Sequence, residues 1–262
     1  FGGASGTLAA LGDKGPRVME LLGEELGLGA PDLPWHAERD RVAEVAGGVG
    51  VLAGALAKIA GDVILLAQTE VGEVSEAASW GKGGSSTMPR KRNPTDAIAA
   101  VAAARLALGT VPVLLGAMAQ EHERAAGAWQ AEWAALPDLF RYTSGAALRM
   151  RRSLEGLEVD AARMRAHVEQ TGSLALAEAL MMALAPELGK PAAQRLVGDL
   201  AGRVSGGDTL RELALADERV RAVLSAQAVE RALDRRLYLG SADVFIDRAL
   251  ADFRAARDQR DT

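Results

Sequence analysis

The sequence predicts an all-α protein, a bundle of long helices followed by a smaller helical domain. Its composition favours helix, because alanine, leucine, arginine and glutamate recur throughout and aromatic residues make up only 4% of the 262 residues. No stretch of four or more residues alternates strictly between apolar and polar side chains, as a half-buried strand would. Apolar residues instead recur at spacings of three and four, which is the period of a helix face.

The first long helix is predicted over residues 37–70. Its apolar residues form a heptad seam of alternating three- and four-residue steps, namely Val42, Val45, Val49, Leu52, Leu56, Ile59, Val63 and Leu66. Several glycines lie inside this segment, and each costs a free helix about 1 kcal/mol relative to alanine. Because the positions flanking the seam are mostly glycine and alanine, we expect close packing in a multi-helix bundle and not an isolated coiled coil.

A loop of about 20 residues, with Gly, Ser and Lys in place of the apolar period, is predicted to follow, and loops of that length are usually functional. Asn93 as N-cap and Pro94 at the first helical position predict the next helix, which runs to about residue 124 with a bend at Pro112. Another long helix is predicted over 128–151, with a kink at Pro137. We expect a partial central bundle over 1–156, with the loop at 72–93, and a C-terminal helical domain over 157–262.

The composition excludes several classes of protein and of site. The chain contains no cysteine, which excludes disulfides, thiolate metal sites and cysteine nucleophiles, and no histidine or carboxylate cluster has metal-ligand spacing. The net charge of −5 disfavours wholesale nucleic-acid binding. The longest uncharged apolar run, 106–120, has 15 residues, whereas a membrane span needs about 20. These observations predict a cytoplasmic protein with no metal, nucleic-acid or membrane partner.

The loop carries four positive charges and no acidic residue between Glu76 and Asp96. Its cations are Lys82, Arg90, Lys91 and Arg92. Glycines let backbone N–H groups converge on a bound oxygen, and the positive end of the helix after Pro94 would add to the field, so the loop favours an anion. The order of residues excludes a P-loop, because Lys82 precedes two glycines. On composition alone, a flexible solvated loop is an equal alternative.

The ordered string changes that balance. Gly84-Ser85-Ser86-Thr87-Met88-Pro89-Arg90-Lys91-Arg92-Asn93-Pro94 resembles the signature G-S-S-x-M-P-x-K-x-N-P of the fumarase/aspartase superfamily, which includes argininosuccinate and adenylosuccinate lyases. The resemblance implies an all-helical homotetramer whose active sites are shared between subunits. It also implies addition or elimination across a C–C bond next to a carboxylate, with no cofactor.

The resemblance further implies roles for individual residues. Ser85 would be the catalytic acid/base, and Lys91 would act with it by stabilising an enediolate-like intermediate. The substrate-binding residues would be Asn93, Ser86, Arg124 and Arg92. A serine hydroxyl is a very weak acid, so this chemistry requires N–H groups and cations that stabilise an alkoxide in a site sealed from water.

Three further segments narrow the resemblance to bacterial 3-carboxy-cis,cis-muconate cycloisomerases. They are Phe1–Gly12, the string from Glu121 to Trp133 that fits E-H-E-R-x-x-G-x-W-Q-x-E-W, and Tyr238–Ala242, which fits Y-L-G-S-A. Arg235 departs from the proline of the usual L-D-P. The implied reaction interconverts 3-carboxy-cis,cis-muconate and γ-carboxymuconolactone in protocatechuate (β-ketoadipate) catabolism, so a small polycarboxylate is the expected substrate.

Two alternatives stay open at this point. One is another lyase of the superfamily, similar to adenylosuccinate lyase, that releases fumarate. The other is a non-catalytic helical assembly or an inactive truncated form, because Phe1 would lie just after two of the superfamily's three conserved regions. The chain does not begin with methionine, and we expect it to be a fragment or a processed form that is incomplete as an enzyme.

Overall fold

The computed structural model describes residues 1–77, 83–84, 92–170, 173–204 and 208–259. Over these residues the chain is almost entirely helical, which confirms the predicted all-α class. The strands β1 (Val74–Ser75) and β2 (Glu158–Val159) have two residues each and pair antiparallel. The chain forms two compact units, residues 1–160 and 161–262. Residues 157–160 lie in the first unit because β2 pairs with β1 there.

The first unit is built mainly from three long helices. A 3-10 turn over Ala9–Lys14 leads into a shorter helix, and the helices of this unit are α1 (Gly15–Leu26), α2 (Asp40–Leu66), α3 (Thr95–Gly116) and α4 (Ala128–Glu155). Helices α2, α3 and α4 pack against one another. Pro112 and Pro137 lie inside α3 and α4, so neither proline ends its helix.

Small residues form the core between these three helices. The fully or nearly fully buried residues are Ala46, Ala53, Ala104, Ala107, Leu114, Ala135, Leu139 and Ala146. Alanine lets helix backbones approach closely, and Gly50 extends this principle. A Cβ at Gly50 would lie 2.9 Å from Val111 Cγ2, whereas one at Gly47 would meet nothing within 4 Å. Close packing therefore explains the glycine at position 50 but not at position 47.

The apolar seam predicted on α2 is only partly buried in this unit. Val63 is buried and Val49 and Leu56 pack against the core, whereas Val45, Leu52 and Ile59 are exposed. The most buried stripe is formed largely by small residues, namely Ala43, Ala46, Gly50, Ala53, Ala60 and Val63. The physical reason is that small residues permit a closer approach to α3 and α4, which leaves one side of the seam on the outer face.

The predicted helix ends were partly wrong. Helix α3 ends at Gly116 and not near residue 124, because the chain passes through a turn at Ala117–Met118 and continues without helix to Gly127. Gly127, with φ +106°, precedes α4 and donates its backbone N–H to the side-chain Oε1 of Gln130 at 2.8 Å. The segment that resembles E-H-E-R is therefore a connection and not a helix end.

The second unit has a conventional leucine-rich core. Its helices are α5 (Ala161–Gln170), α6 (Ala177–Leu188), α7 (Lys190–Arg203), α8 (Leu210–Ala216), α9 (Glu218–Arg221), α10 (Ala226–Ala232) and α11 (Ala242–Asp258). The buried side chains include Leu180, Leu184, Leu200, Leu210, Val220 and Val229. Two cap residues are well placed, because Thr209 forms a capping box with Glu212 and Ser225 accepts the N–H of Ala228.

Two helices of the first unit, α2 and α3, are long and apolar enough to cross a membrane by length and composition alone. Their most apolar windows have a mean hydropathy of 2.0, and 22% of each window is buried. This criterion has little specificity, because core helices of soluble bundles also meet it. The outer faces of these helices are nevertheless unusually apolar.

Candidate active site

The predicted active-site loop leaves and re-enters the first unit at a well-defined base. We call residues 74–76 and 92–94 the loop stem. Asn93 lies in it half-buried and makes two contacts with the Gly83 carbonyl oxygen, its backbone N–H at 2.8 Å and its Nδ2 at 3.3 Å. Gly83 has φ +73°, and a Cβ there would lie 2.8 Å from the backbone oxygen of Asn93. Glycine is therefore required where the loop folds back on Asn93.

The sequence predicted Asn93 as the N-cap of α3, and the structure shows that it is not. The helix begins at Thr95, and the residue at the cap position is Pro94, which has no capping side chain. Glu76 supplies the cap instead. Its Oε2 accepts the N–H of Asp96 at 3.1 Å and its Oε1 accepts the N–H of Ala97 at 2.9 Å.

This contact also corrects the expected role of the α3 N-terminus. We predicted that its positive end would help to attract the bound anion. In the structure, the carboxylate of Glu76, which is only 6% exposed, already occupies the first free N–H groups. The helix field therefore stabilises a buried carboxylate of the protein itself.

Arg92 is engaged at the outer side of the stem. Its guanidinium donates to the backbone oxygen of Glu76 and, at 2.9 Å, to Oε2 of Glu158 on β2. Hydrogen bonding to Arg92 is the largest cause that holds the pKa of Glu158 below its ordinary value. The structure thus places Arg92 in an ion pair that ties the stem to β2, and its predicted contact with substrate stays a prediction.

A second buried carboxylate fixes the start of α3 on α4. Asp96 is 1% exposed, and its Oδ1 accepts from the guanidinium of Arg149 at 2.9 Å. Neither the cap from Glu76 nor the ion pair of Asp96 with Arg149 was predicted from the sequence. An acidic residue directly before the basic loop, with another in the first helical turn, is the only sequence signal that could have suggested either contact.

Three of the predicted site residues, Ser85, Ser86 and Lys91, lie outside the described residues. Their catalytic and binding roles therefore stay predictions. What the structure provides is the position of the stem from which the segment carrying them departs and to which it returns.

Arg124 lies in the connection between α3 and α4. Its guanidinium sits over the ring of Trp129, 5.0 Å from the centroid, and no carboxylate of the described residues forms an ion pair with it. It lines a cavity of about 450 Å³ together with Trp35, His36 and Trp129. An exposed guanidinium on an aromatic ring, without an acidic partner in the described parts of the chain, is suited to bind a carboxylate.

A buried ion pair holds this connection in place. Arg39 donates from Nε to Oε1 of Glu132 at 2.9 Å and pairs with the other carboxylate oxygen through a second nitrogen. Gln120 donates to the same carboxylate at 3.0 Å. Within the connection, His122 adopts φ +51°, a conformation that non-glycine residues rarely take. Gln120 therefore anchors the connection to Glu132 on α4.

The loop stem and Arg124 are separated along the chain by α3. Asn93 precedes α3, which has 22 residues, and Arg124 follows it in a non-helical connection. At a rise of 1.5 Å per residue, α3 is about 33 Å long. Contact of both residues of one chain with the same small substrate would require the connection to fold back along this helix.

The second unit contains a larger cavity of about 1160 Å³, and none of the predicted site residues line it. Three of its arginines are paired with acids, in the pairs Arg211–Glu230, Arg235–Glu169 and Arg236–Asp234. Its charges are therefore largely balanced and give no preference for an anion. Among the residues that the structure describes, no group of three or more acidic or histidine side chains could hold a metal ion.

One of two matches to known protein families includes the loop stem. Residues 1–109, which include the loop and both sides of its stem, match the family described as "Lyase". Residues 173–249, in the second unit, match the family described as "Adenylosuccinate lyase C-terminus". The chain belongs to the fumarase/aspartase superfamily of lyases. This confirms the relationship indicated by the string from Gly84 to Pro94.

Individual relatives within the superfamily are more specific. The chain is 50% identical over 256 residues to the 3-carboxy-cis,cis-muconate cycloisomerase of Pseudomonas aeruginosa, covering 97% of this chain and 56% of that protein. It is 42% identical over 259 residues to the nitrosuccinate lyase of Streptomyces davaonensis, covering 95% of this chain and 55% of that protein. The crystal structure of the 3-carboxy-cis,cis-muconate lactonizing enzyme from Pseudomonas putida has a TM-score of 0.85 at 44% identity.

The chain spans about half the length of these relatives. The match to the Pseudomonas putida enzyme covers 97% of this chain and 56% of that enzyme. The fold of this superfamily member is thus shared with solved relatives over nearly all of its residues.

Proposed function

We propose that this chain is part of a 3-carboxy-cis,cis-muconate cycloisomerase, which interconverts 3-carboxy-cis,cis-muconate and γ-carboxymuconolactone in protocatechuate breakdown. The single observation that carries the proposal is the identity of 50% over 97% of the chain with an enzyme of that name. The complete match to the superfamily signature supports it, since Asn93 of that signature lies fixed at the loop stem.

In the proposed reaction, Ser85 acts as the acid/base. In the ring-opening direction, its oxygen removes the proton from the carbon next to a carboxylate, and the electron pair moves into that carboxylate as an enediolate. The electron pair of the enediolate then forms a C=C bond between the deprotonated carbon and the neighbouring carbon that bears the lactone oxygen. The lactone C–O bond breaks at the same time, and its oxygen leaves as part of a carboxylate. Lactonisation is the reverse of these steps, so atoms and charge balance without a cofactor.

The other predicted residues stabilise charge in this scheme. Lys91 and Asn93 hold the carboxylate on which the enediolate forms, and Ser86 helps to bind the substrate. Arg124 binds another of the substrate's three carboxylates, which its exposure and lack of an acidic partner among the described residues support. Arg92 forms an ion pair with Glu158. We propose that Arg92 both supports the stem through this pair and attracts the negatively charged substrate.

We also propose that the active protein is a homotetramer with active sites shared between subunits. The length of α3, about 33 Å, supports this, because the helix lies between Asn93 and Arg124 of the same chain. The outer faces of α2 and α3 support it too, since they expose large apolar side chains that include Val45, Leu52, Ile59, Leu106 and Val113. Such faces favour packing against further helices. We propose a soluble, cytoplasmic assembly that binds neither membrane nor nucleic acid.

An ultraviolet absorbance assay of 3-carboxymuconate turnover tests the proposed function. It should be run on this chain and on a version extended at its N-terminus. In whichever version is active, Ser85→Ala should lower kcat by about 100-fold or more, the usual scale for loss of a general acid/base. Ser86→Ala is the matched control and should have a milder effect. A loss of only a few-fold on Ser85→Ala would remove Ser85 from the acid/base role.

A second candidate function is a lyase that releases fumarate. The identity of 42% with a nitrosuccinate lyase favours it specifically, because that relative is named for a different substrate. The same preparations should therefore be assayed for fumarate formation from carboxylated substrates. Fumarate release without turnover of 3-carboxymuconate would favour this second function. Absence of both activities in the extended version would favour a non-catalytic assembly.

A further inference from the structure

Glu76 lies where both ends of the signature segment meet. It is the last residue of the first half of the loop stem, and it contacts the second half through its backbone oxygen and α3 through its side chain. Its carboxylate accepts the N–H groups of Asp96 and Ala97, while its backbone oxygen accepts from Arg92. One residue thus joins the start of the segment 77–91 to the chain that leaves it.

The contacts around Glu76 account for the whole first turn of α3. Thr95 donates its N–H to the Asn93 oxygen, and Ile98 donates its N–H to the Pro94 oxygen as the first regular helical bond. The two N–H groups between them, those of Asp96 and Ala97, go to Glu76. Because Pro94 offers no side-chain cap, the geometry of this turn depends on Glu76.

The same turn sets the position of Asn93. The Asn93 oxygen accepts from Thr95, its N–H and Nδ2 contact the Gly83 oxygen, and only Pro94 separates it from the helix. A shift of the first turn of α3 would therefore move the Asn93 side chain. A displacement of about 1 Å at a substrate-binding group can cost on the order of 100-fold in rate.

We propose that Glu76 is a positioning residue of the active site, which holds Asn93 in its working geometry through the first turn of α3. The proposal rests on the proposed function, in which Asn93 binds a carboxylate of the substrate. It assigns a role to a buried carboxylate outside the signature, 17 residues before Asn93. Glu76 does not touch the substrate in this scheme.

The test is a double-mutant cycle of Glu76→Gln and Asn93→Ala in the active preparation. Glutamine preserves the volume of Glu76 but has one acceptor oxygen in place of two, so one of the two helical N–H groups loses its partner. Glu76→Gln alone should lower kcat by about 10- to 100-fold, with a smaller change in KM. In the Asn93→Ala background it should lower kcat by less than about 2-fold, because its effect is already lost.

A matched control is Glu44→Gln on the exposed surface of α2, which makes the same chemical change and should leave kcat unchanged. Two outcomes would overturn the proposal, namely no loss of kcat on Glu76→Gln, or the full loss repeated in the Asn93→Ala background. If Glu76→Gln does not fold, Glu76→Asp enters the same cycle. Aspartate keeps the charge but is one methylene shorter, and the same criterion of additivity applies to it.

A readout independent of activity separates this proposal from the proposed function. Hydrogen exchange resolved to single amides should be faster at Asp96, Ala97 and Asn93 in Glu76→Gln, and unchanged at these amides in Glu44→Gln. If the unmodified protein does not turn over 3-carboxymuconate, the proposed function fails while this measurement still decides on Glu76. Unchanged exchange at Asn93 would show that Glu76 does not position it.

Discussion

An equal mixture of Ser85→Ala and Arg124→Ala subunits is expected to regain activity that neither variant has alone. The reason is the length of α3, whose 22 residues lie between the loop stem and Arg124 in the chain. This helix is about 33 Å long, several times the size of a tricarboxylate substrate. In the proposed assembly, each site takes Ser85 from one subunit and Arg124 from another.

The expected size of the effect follows from random mixing. In hybrid assemblies made from equal amounts of both variants, half of the chains that supply Ser85 are intact at that position. Independently, half of the chains that supply Arg124 are intact there. About one quarter of all sites then contain both residues. Removal of the one eighth of tetramers that contain a single variant raises the expected activity of the purified hybrids to about 29% of the unmodified activity.

The assay uses subunits with two different affinity tags, co-expressed and purified in sequence so that only hybrids remain. A mixture of Ser85→Ala with Asn93→Ala is the matched control. These two positions are eight residues apart and belong to one segment, so no site in that mixture is intact and no activity should return. Verified hybrids of Ser85→Ala and Arg124→Ala that stay inactive would refute the shared site.

Two stability predictions concern the first unit. Arg39→Met leaves the carboxylate of Glu132, which is 4% exposed, without its cation, and should lower the free energy of unfolding by about 3–5 kcal/mol. In urea denaturation, Arg17→Met in an exposed pair should have a much smaller effect, and equal losses would contradict the role of burial. Gly47→Ala should raise the melting temperature, because alanine favours helix by about 1 kcal/mol and nothing lies within 4 Å. Gly50→Ala should lower it, since overpacking costs about 1–3 kcal/mol, and a rise at both positions would show that α2 and α3 do not need glycine to approach.

Several features of the fold could be read from the sequence because they depend on local chemistry. The period of three and four between Val42 and Leu66 is a property of one helix, and α2 forms over that segment. The helix after the loop begins within two residues of the predicted position, because proline removes a donor and fixes φ before Thr95. The capping residue, however, was wrong, since the group that caps α3 comes from 20 residues earlier in the chain.

The spacing of apolar residues also did not predict which face α2 buries. Hydrophobicity scales favour the larger seam of Val45, Leu52 and Ile59, but the chain buries the alanine stripe beside it. Which stripe is buried depends on how closely α3 and α4 can approach, and that distance is set by the residues of all three helices together. A single helix contains no information about its neighbours' shape.

For the site, the sequence by itself determined which chemical groups are present and in what order, because the signature from Gly84 to Pro94 is a continuous string. Only the tertiary structure decided how those groups are supported. It placed Glu76 on the first turn of α3, Arg92 on Glu158, and Arg124 at the opposite end of α3. The physical reason is that hydrogen bonds and ion pairs form between groups that are close in space, and folding brings residues together at distances that their order in the chain does not specify.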